Sequence, residues 1–327
     1  MKINQVNRCI SVVGPTACGK TDSTLDLARQ LVREKKVLGV DVISADSRQV
    51  YKGLEILTGA DVPEGFEEGV PLRRAQSDTP QSNPNYFTNA KGSILIFGIS
   101  MIDPAEEWSL AHFVNFAREI MVRSWSNGRL PVVVGGTGLY HKHLFSDDET
   151  PQVPQDLTIR CKAENMLVAD LQQWLAEIDS SRLEQMNDSD RENSRRLTRA
   201  IEVETWLKQN KKSSTDRLKP SDSAVAWSKV ENQVEFLSAP LELIEKRIEQ
   251  RVEKRFASGA IQEVENLLKH KLPASAPVLT TLGVPEIRSF LNGEVSAENC
   301  QKLWALHEFQ YAKRQLTWWK KPTSSKE

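Results

Sequence analysis

Gly14, Pro15, Thr16, Ala17, Cys18, Gly19, Lys20 and Thr21 follow one another in the pattern Gly-x4-Gly-Lys-Thr. Such a loop wraps backbone N–H groups around anionic oxygens; its lysine adds a point charge and its threonine hydroxyl is placed to help hold Mg2+. Residues 9–13, Cys-Ile-Ser-Val-Val, have the character of a short buried strand, and residues 24–31 carry apolar side chains at helical spacing. Strand, glycine loop and helix in that order predict a phosphate or diphosphate site.

Two further features suit the same site. Asp46 stands just past the apolar run 40–44. Ligands of open α/β sheets bind beyond the carboxyl ends of strands, so Asp46 is expected near the phosphate loop. A carboxylate there can hold Mg2+ through water or act as a general base; it can also simply cap a helix, as could Ser44 or Ser47. Gly135, Gly136, Thr137 and Gly138 follow the apolar run 130–134 in the same way. The glycines allow close backbone approach, and Thr137 can donate to a phosphate oxygen.

Arginines come next. Ile244, Ile248 and Arg251 fall on one helical stripe, so Arg251 needs an anionic partner, either a protein carboxylate or a bound phosphate. Arg191, Arg195, Arg196 and Arg199 cluster in a helical stretch, and residues 311–321 interleave bases with aromatics. Either segment suits RNA, whose phosphates are neutralised and whose unstacked bases lie on rings, and either could be a solvated helix face. His141 and His143 have no third metal ligand in view.

These residues need elements to position them. The first 145 residues alternate apolar strands (40–44, 94–97, 130–134) with helical patterns (21–36, 109–127), an α/β plan with a parallel sheet. Residues 61–91 read as a surface loop, 156–210 as helical throughout, and 211–228 as a polar loop. Residues 234–237 read as one more core strand, followed by helical stretches over 240–270 and 285–320. The expected organisation is a P-loop NTPase-like core, 1–149 with 226–327, interrupted by a mostly helical insertion, 150–225.

Composition bounds the setting. At 39% hydrophobic and 27% charged residues, with 43 Lys+Arg against 44 Asp+Glu, the chain reads as an ordinary globular protein whose RNA surface must come from local clustering. Four scattered cysteines lack the spacing of a zinc ribbon, and no apolar run approaches about 18 residues. A cytoplasmic protein with no membrane segment is expected.

Taken together and in order, these motifs resemble the tRNA isopentenyltransferase family. The resemblance is carried by residues 14–21, 44–54, 134–140 and 193–202, by Arg251 ahead of Ala257-Ser258-Gly259, and by residues 312–319. It implies that residues 14–21 grip the diphosphate of dimethylallyl diphosphate with Mg2+ held at Thr21. The adenosine beside the anticodon is extruded into a channel. Asp46 would orient N6 of the base or take its proton, while Thr137 and Arg251 stabilise the departing diphosphate. Asp46, Ser47, Gln49, Arg195, Arg196, Arg199, Lys313, Arg314 and Gln315 would touch the tRNA, the helical insertion would clamp the anticodon stem, and the protein would act as a monomer. The chain departs from the family pattern in three places. No histidine pair precedes Asp103-Pro104, Arg255 stands where an apolar residue is usual, and Gly283-Val284-Pro285-Glu286 looks like the adenylate isopentenyltransferases of plants, which act on free AMP, ADP or ATP. Other readings are that nucleotide activity, a small-molecule kinase, and an RNA-binding protein with a vestigial nucleotide site.

Overall fold

Runs of β-branched residues too apolar to face water form the centre of a sheet. The computed structural model describes residues 7–60, 62–69, 85–148, 150–210 and 225–320. Two compact units result: residues 1–144 with 230–327, and residues 145–229.

In the first unit the described strands are β1 (Arg8–Val13), β2 (Val40–Ser44), β3 (Phe66–Glu68), β4 (Tyr86–Asn89), β5 (Ile94–Phe97), β6 (Leu130–Gly135) and β7 (Glu231–Phe236). They form one sheet in the order β3-β4-β5-β2-β6-β1-β7. β5, β2, β6, β1 and β7 run parallel, while β4 is antiparallel to both β3 and β5. All five residues of β2 are buried. By contrast, β7 is an edge strand rather than a core one: Val234 and Phe236 stay 54% and 43% exposed.

The described part of the 61–91 segment is not a plain loop; it supplies β3 and β4. Strands of three or four half-exposed residues are too short to show a period-2 pattern. The turn into β5 is held by Asn89, whose Oδ1 accepts N–H groups of Ser93 at 3.0 Å and Ile94 at 3.1 Å. Residues 61 and 70–84 of that segment lie outside the described residues, as do 211–224 of the second polar stretch and Lys321 of the basic tail.

The helices in chain order begin with α1 (Lys20–Arg33), α2 (Glu55–Thr58), α3 (Leu110–Ser126) and α4 (Gly138–Leu144). The second unit contains α5 (Leu157–Ala163), α6 (Val168–Gln185), α7 (Asp188–Arg191) and α8 (Ser194–Gln209). The helical reading over 156–210 is thus divided, with caps at Asp156, Asn187 and Asn193 and non-helical backbone at Asp179. Leu171 and Leu175 are fully buried there beside Ile159, Leu197 and Ile201. Back in the first unit come α9 (Leu241–Arg255), α10 (Ile261–Lys269), α11 (Val284–Leu291) and α12 (Ala297–Lys320). A π-turn at Phe256–Ala260, with Gly259 at φ +121°, separates α9 from α10. The apolar faces of α9 and α12 share a core with Val50, Tyr51, Leu54 and Leu57, which brings the C-terminal helix to the strand ends. Among the described residues no helix is long and apolar enough to cross a membrane.

Candidate active site

Three neighbouring parallel strands, β2, β6 and β1, end in the three segments singled out for chemistry. β1 runs into the phosphate loop. Gly14 there (φ +151°) leaves room for the Leu237 carbonyl, whose oxygen would lie 2.0 Å from a Cβ. Ala17 (φ +61°) and Gly19 (φ +87°) both adopt left-handed backbone. Alternation of this kind turns successive N–H groups into an anion-binding concavity. Gly19 also starts α1 with no side-chain cap, so the first helical N–H groups are available to a ligand. Lys20 Nζ donates to the Pro15 carbonyl at 2.5 Å. Burial lowers its pKa; the charge of Asp46 pulls the other way, and that of Arg251 adds to the lowering. The ammonium therefore lies within electrostatic reach of residues from two other elements.

β2 ends in Asp46. Its Oδ1 accepts the Arg48 N–H at 2.8 Å, a local turn that leaves the second oxygen unpartnered among the described residues. The neighbourhood is rich in phenols. Tyr140 and Tyr311 have raised pKa values, first by burial and next by the charge of Asp46, so both remain neutral hydrogen-bond donors. Tyr140 stacks on Phe113 with centroids 4.1 Å apart. Arg48 donates to the Pro277 carbonyl at 2.6 Å and to Thr280 Oγ1 at 2.9 Å.

β6 delivers the second glycine loop, tightly enclosed by the chain around it. A Cβ on Gly135 would lie 2.5 Å from the Ala45 carbonyl oxygen, and one on Gly138 would lie 1.8 Å from Trp318 Nε1. Thr137 Oγ1 is buried without a hydrogen bond of good geometry; the Tyr311 hydroxyl lies beside it and beside Gln315.

Arg251 meets both kinds of partner its position called for. Its Nη2 donates to Thr16 Oγ1 in the phosphate loop at 2.8 Å and also to Glu308. Arg247 reaches the same loop, donating to the Ala17 carbonyl at 3.4 Å.

The remaining residues divide by orientation. Arg195, Lys313 and Arg314 are exposed; Lys313 lies over Phe309 at 4.6 Å and Arg314 over Tyr311 at 5.7 Å. Arg196 pairs with Asp190. Arg199 is spent on the fold of the second unit: it donates to Glu202 at 3.0 Å and to the carbonyls of Thr150, Pro154 and Val153. The carboxamide of Gln49 accepts from Ser44 and donates to the Gly59 carbonyl, while Ser47 is half-buried. Gln315 turns inward onto the phosphate loop. Glu308 lies at the site outside every motif, whereas Tyr140 and Tyr311 fall within residues 134–140 and 311–321, where the spacing assigns them no role. The spacing Trp304-x3-Glu308 within an apolar helix face is the signal that would have found Glu308. The Gly283–Glu286 segment has a local explanation: Glu286 Oε2 accepts the Gly283 N–H at 2.8 Å, the acidic half of a capping box at the start of α11. A Cβ on Gly283 would meet Leu57 and Trp304.

A phosphate loop, a facing glycine loop and an aspartate on adjacent strand ends place the first unit in the P-loop class of α/β proteins. The family described as IPP transferase matches residues 91–322. The chain belongs to that family. A tRNA dimethylallyltransferase of Moorella thermoacetica is 30% identical over 322 residues, 95% of this chain and 86% of that protein. Among solved structures, the full-length tRNA isopentenylpyrophosphate transferase of Bacillus halodurans matches at a TM-score of 0.59 and 25% identity, covering 97% of this chain and 88% of that one. A eukaryotic dimethylallyltransferase acting on tRNA shares the fold at a TM-score of 0.67 and 20% identity, over 95% of this chain and 69% of that one.

Proposed function

We propose that this protein transfers the dimethylallyl group of dimethylallyl diphosphate to N6 of the adenosine 3′ of the tRNA anticodon (position 37), releasing diphosphate. The observation that carries the reading is the convergence of Lys20, Asp46 and Arg251 from three elements: Arg251 bonds Thr16 Oγ1 in the phosphate loop at 2.8 Å, and the charges of both Asp46 and Arg251 act on Lys20. The names of the relatives support the substrate pair.

Adenine N6 is a weak nucleophile because its lone pair is delocalised into the ring. The C1–O bond to diphosphate breaks as the C1–N6 bond forms, and the N6 proton passes to the unpartnered oxygen of Asp46. Charge accumulates on the leaving diphosphate. Lys20, the N–H groups of residues 17–21, Thr137 and Arg251 are the donors that stabilise it. The hydroxyl of Thr21 is exposed at the start of α1, with no side-chain partner among the described residues. Together with diphosphate oxygens and water, it makes the hard-oxygen donor set that Mg2+ takes, so Thr21 would hold the ion. Mg2+ bound there would neutralise charge on the diphosphate. Extruding the base costs a few kcal/mol of stacking, offset by contacts to the tRNA from Arg195, Lys313 and Arg314. The helical unit 145–229 grips the anticodon stem, and a cytoplasmic monomer suffices for the reaction.

The test is prenyl transfer read by mass spectrometry. Protein, Mg2+ and dimethylallyl diphosphate are offered an anticodon stem-loop, with AMP, ADP and ATP in parallel. A gain of one C5H8 unit on the RNA is expected. A gain on the free nucleotides instead would overturn the tRNA reading and make Gly283–Glu286 a substrate determinant.

A further inference from the structure

The turn that carries Asp46 is tied to a distant part of the chain by the side chain of Arg48. Its Nη1 donates to the Pro277 carbonyl at 2.6 Å and its Nη2 to Thr280 Oγ1 at 2.9 Å. Thr280 Oγ1 donates in turn to the same Pro277 carbonyl at 2.7 Å, which closes a ring of three hydrogen bonds. The segment that Arg48 grips is itself fixed. Val278 is fully buried in the core that holds Val50 and Tyr51, and the N–H groups of Leu279 and Thr281 donate to the carbonyls of Ala276 and Val278. One residue further on, the Gln49 carboxamide is held by Ser44 and the Gly59 carbonyl.

The proposed chemistry gives the Arg48 guanidinium no task. Its backbone, however, holds the reacting group: the Arg48 N–H donates to Asp46 Oδ1 at 2.8 Å and so sets where the other carboxylate oxygen points. An N–H on a turn is held only as firmly as the residue that carries it, and a misplacement of about 1 Å costs on the order of 10²-fold in rate. We infer that Arg48 is a positioning residue: its bonds to Pro277 and Thr280 fix the Arg48 N–H, and through it the Asp46 carboxylate, against the extruded base. This rests on the reading of Asp46 as the acceptor of the N6 proton. The competing role for this guanidinium is a contact to a tRNA phosphate, and the two are separable.

Arg48→Met keeps most of the stem and removes the tie. The single-turnover rate of prenyl transfer to the anticodon stem-loop falls about tenfold or more, while the dissociation constants of pyrophosphate and stem-loop stay within about threefold of the parent. Thr280→Val keeps the shape and deletes the hydroxyl that Nη2 meets, so the same rate falls about three- to tenfold. The two losses do not multiply: the double variant stays within about twofold of Arg48→Met alone. A lysine offers a point donor in place of the planar fork, so Arg48→Lys recovers only part of the rate. Where the methionine variant fails to fold, Thr280→Val carries the test through the same rate and dissociation constants.

A merely structural tie would lower the urea midpoint and leave the single-turnover rate at the parental value, which overturns the inference. A phosphate contact overturns it as well: Arg48→Met would then weaken stem-loop binding and make its salt slope shallower by about 0.7–0.9, and Thr280→Val would change neither rate nor affinity. Losses that multiply in the double variant have the same consequence. Asp46→Ala serves as the control. If it turns over like the parent, the reading of Asp46 itself has failed and takes the inference with it; if it loses turnover while the Arg48 and Thr280 variants keep theirs, the inference alone falls.

Discussion

Gln315 and Thr16 lie 299 positions apart in the chain, yet the Gln315 side-chain oxygen accepts the Thr16 backbone N–H at 2.8 Å. The nitrogen of the same carboxamide lies where a Cβ on Gly136 would come within 2.1 Å of it, and that Cβ would also approach the Gly14 carbonyl oxygen at 3.0 Å. One buried amide thus ties α12 to both glycine loops.

Gly136→Ala should break this tie. The added methyl displaces the Gln315 carboxamide and releases the Thr16 N–H, so kcat/KM for dimethylallyl diphosphate falls at least about tenfold while unfolding free energy drops by about 1–3 kcal/mol. Steady-state kinetics and urea unfolding of parent and variant check both figures. Kinetics equal to the parent's would mean that the loops do not depend on Gln315.

Asp46→Ala removes the proposed proton acceptor without touching the phosphate cradle. Turnover should fall by about 10²–10⁴-fold, with pyrophosphate and tRNA dissociation constants within about threefold of the parent. Retained turnover would return Asp46 to a turn-capping role built on its bond to the Arg48 N–H.

Neutralising the exposed pair Lys313 and Arg314 to glutamine should weaken tRNA binding in a salt-dependent way. If each meets one phosphate, the slope of log K against log salt becomes shallower by about 1.4–1.8. Binding isotherms at several salt concentrations report the slope; a slope equal to the parent's would make the tail structural.

His141 links stability to pH. The ring is 6% exposed, edge-on to Trp319 at 5.4 Å, and neither nitrogen has a partner among the described residues. Burial, reinforced by the Lys20 charge, pushes its pKa down from 6.5 to about 3. The folded protein keeps the ring neutral where the unfolded chain already binds a proton. Stability from this group is therefore full above about pH 6.5 and is lost as pH falls towards about 3, with a slope approaching 1.4 kcal/mol per unit, roughly one proton's worth. His141→Phe should flatten that part of the profile. Urea midpoints for parent and variant, measured near neutral pH and at two acid points inside that window, would show it; parallel profiles would refute it.

Much of this was readable from local sequence. Continuous apolar runs announced β1, β2, β5 and β6, because strands buried on both faces carry no polar alternation. The glycine spacing of residues 14–21 marked a backbone that few other sequences can adopt, and Ala17 and Gly19 do take left-handed conformations. Shorter signals were weaker: β3 and β4 had three or four residues each, and the breaks near Asp179 and Gly259 interrupt periodicities that continue on either side.

The sequence by itself determined the phosphate loop, the parallel strands that feed the three candidate segments, and the stripe that turns Arg251 inward, since each depends on residues within a few positions of one another. Tertiary structure decided which charges and amides meet. Gln315 closes the phosphate loop rather than facing solvent, Arg199 is consumed by the carbonyls of Thr150, Val153 and Pro154, and Arg255 joins Arg251 on Glu308. A buried polar group must find a partner wherever packing provides one, and packing brings together positions tens to hundreds of residues apart.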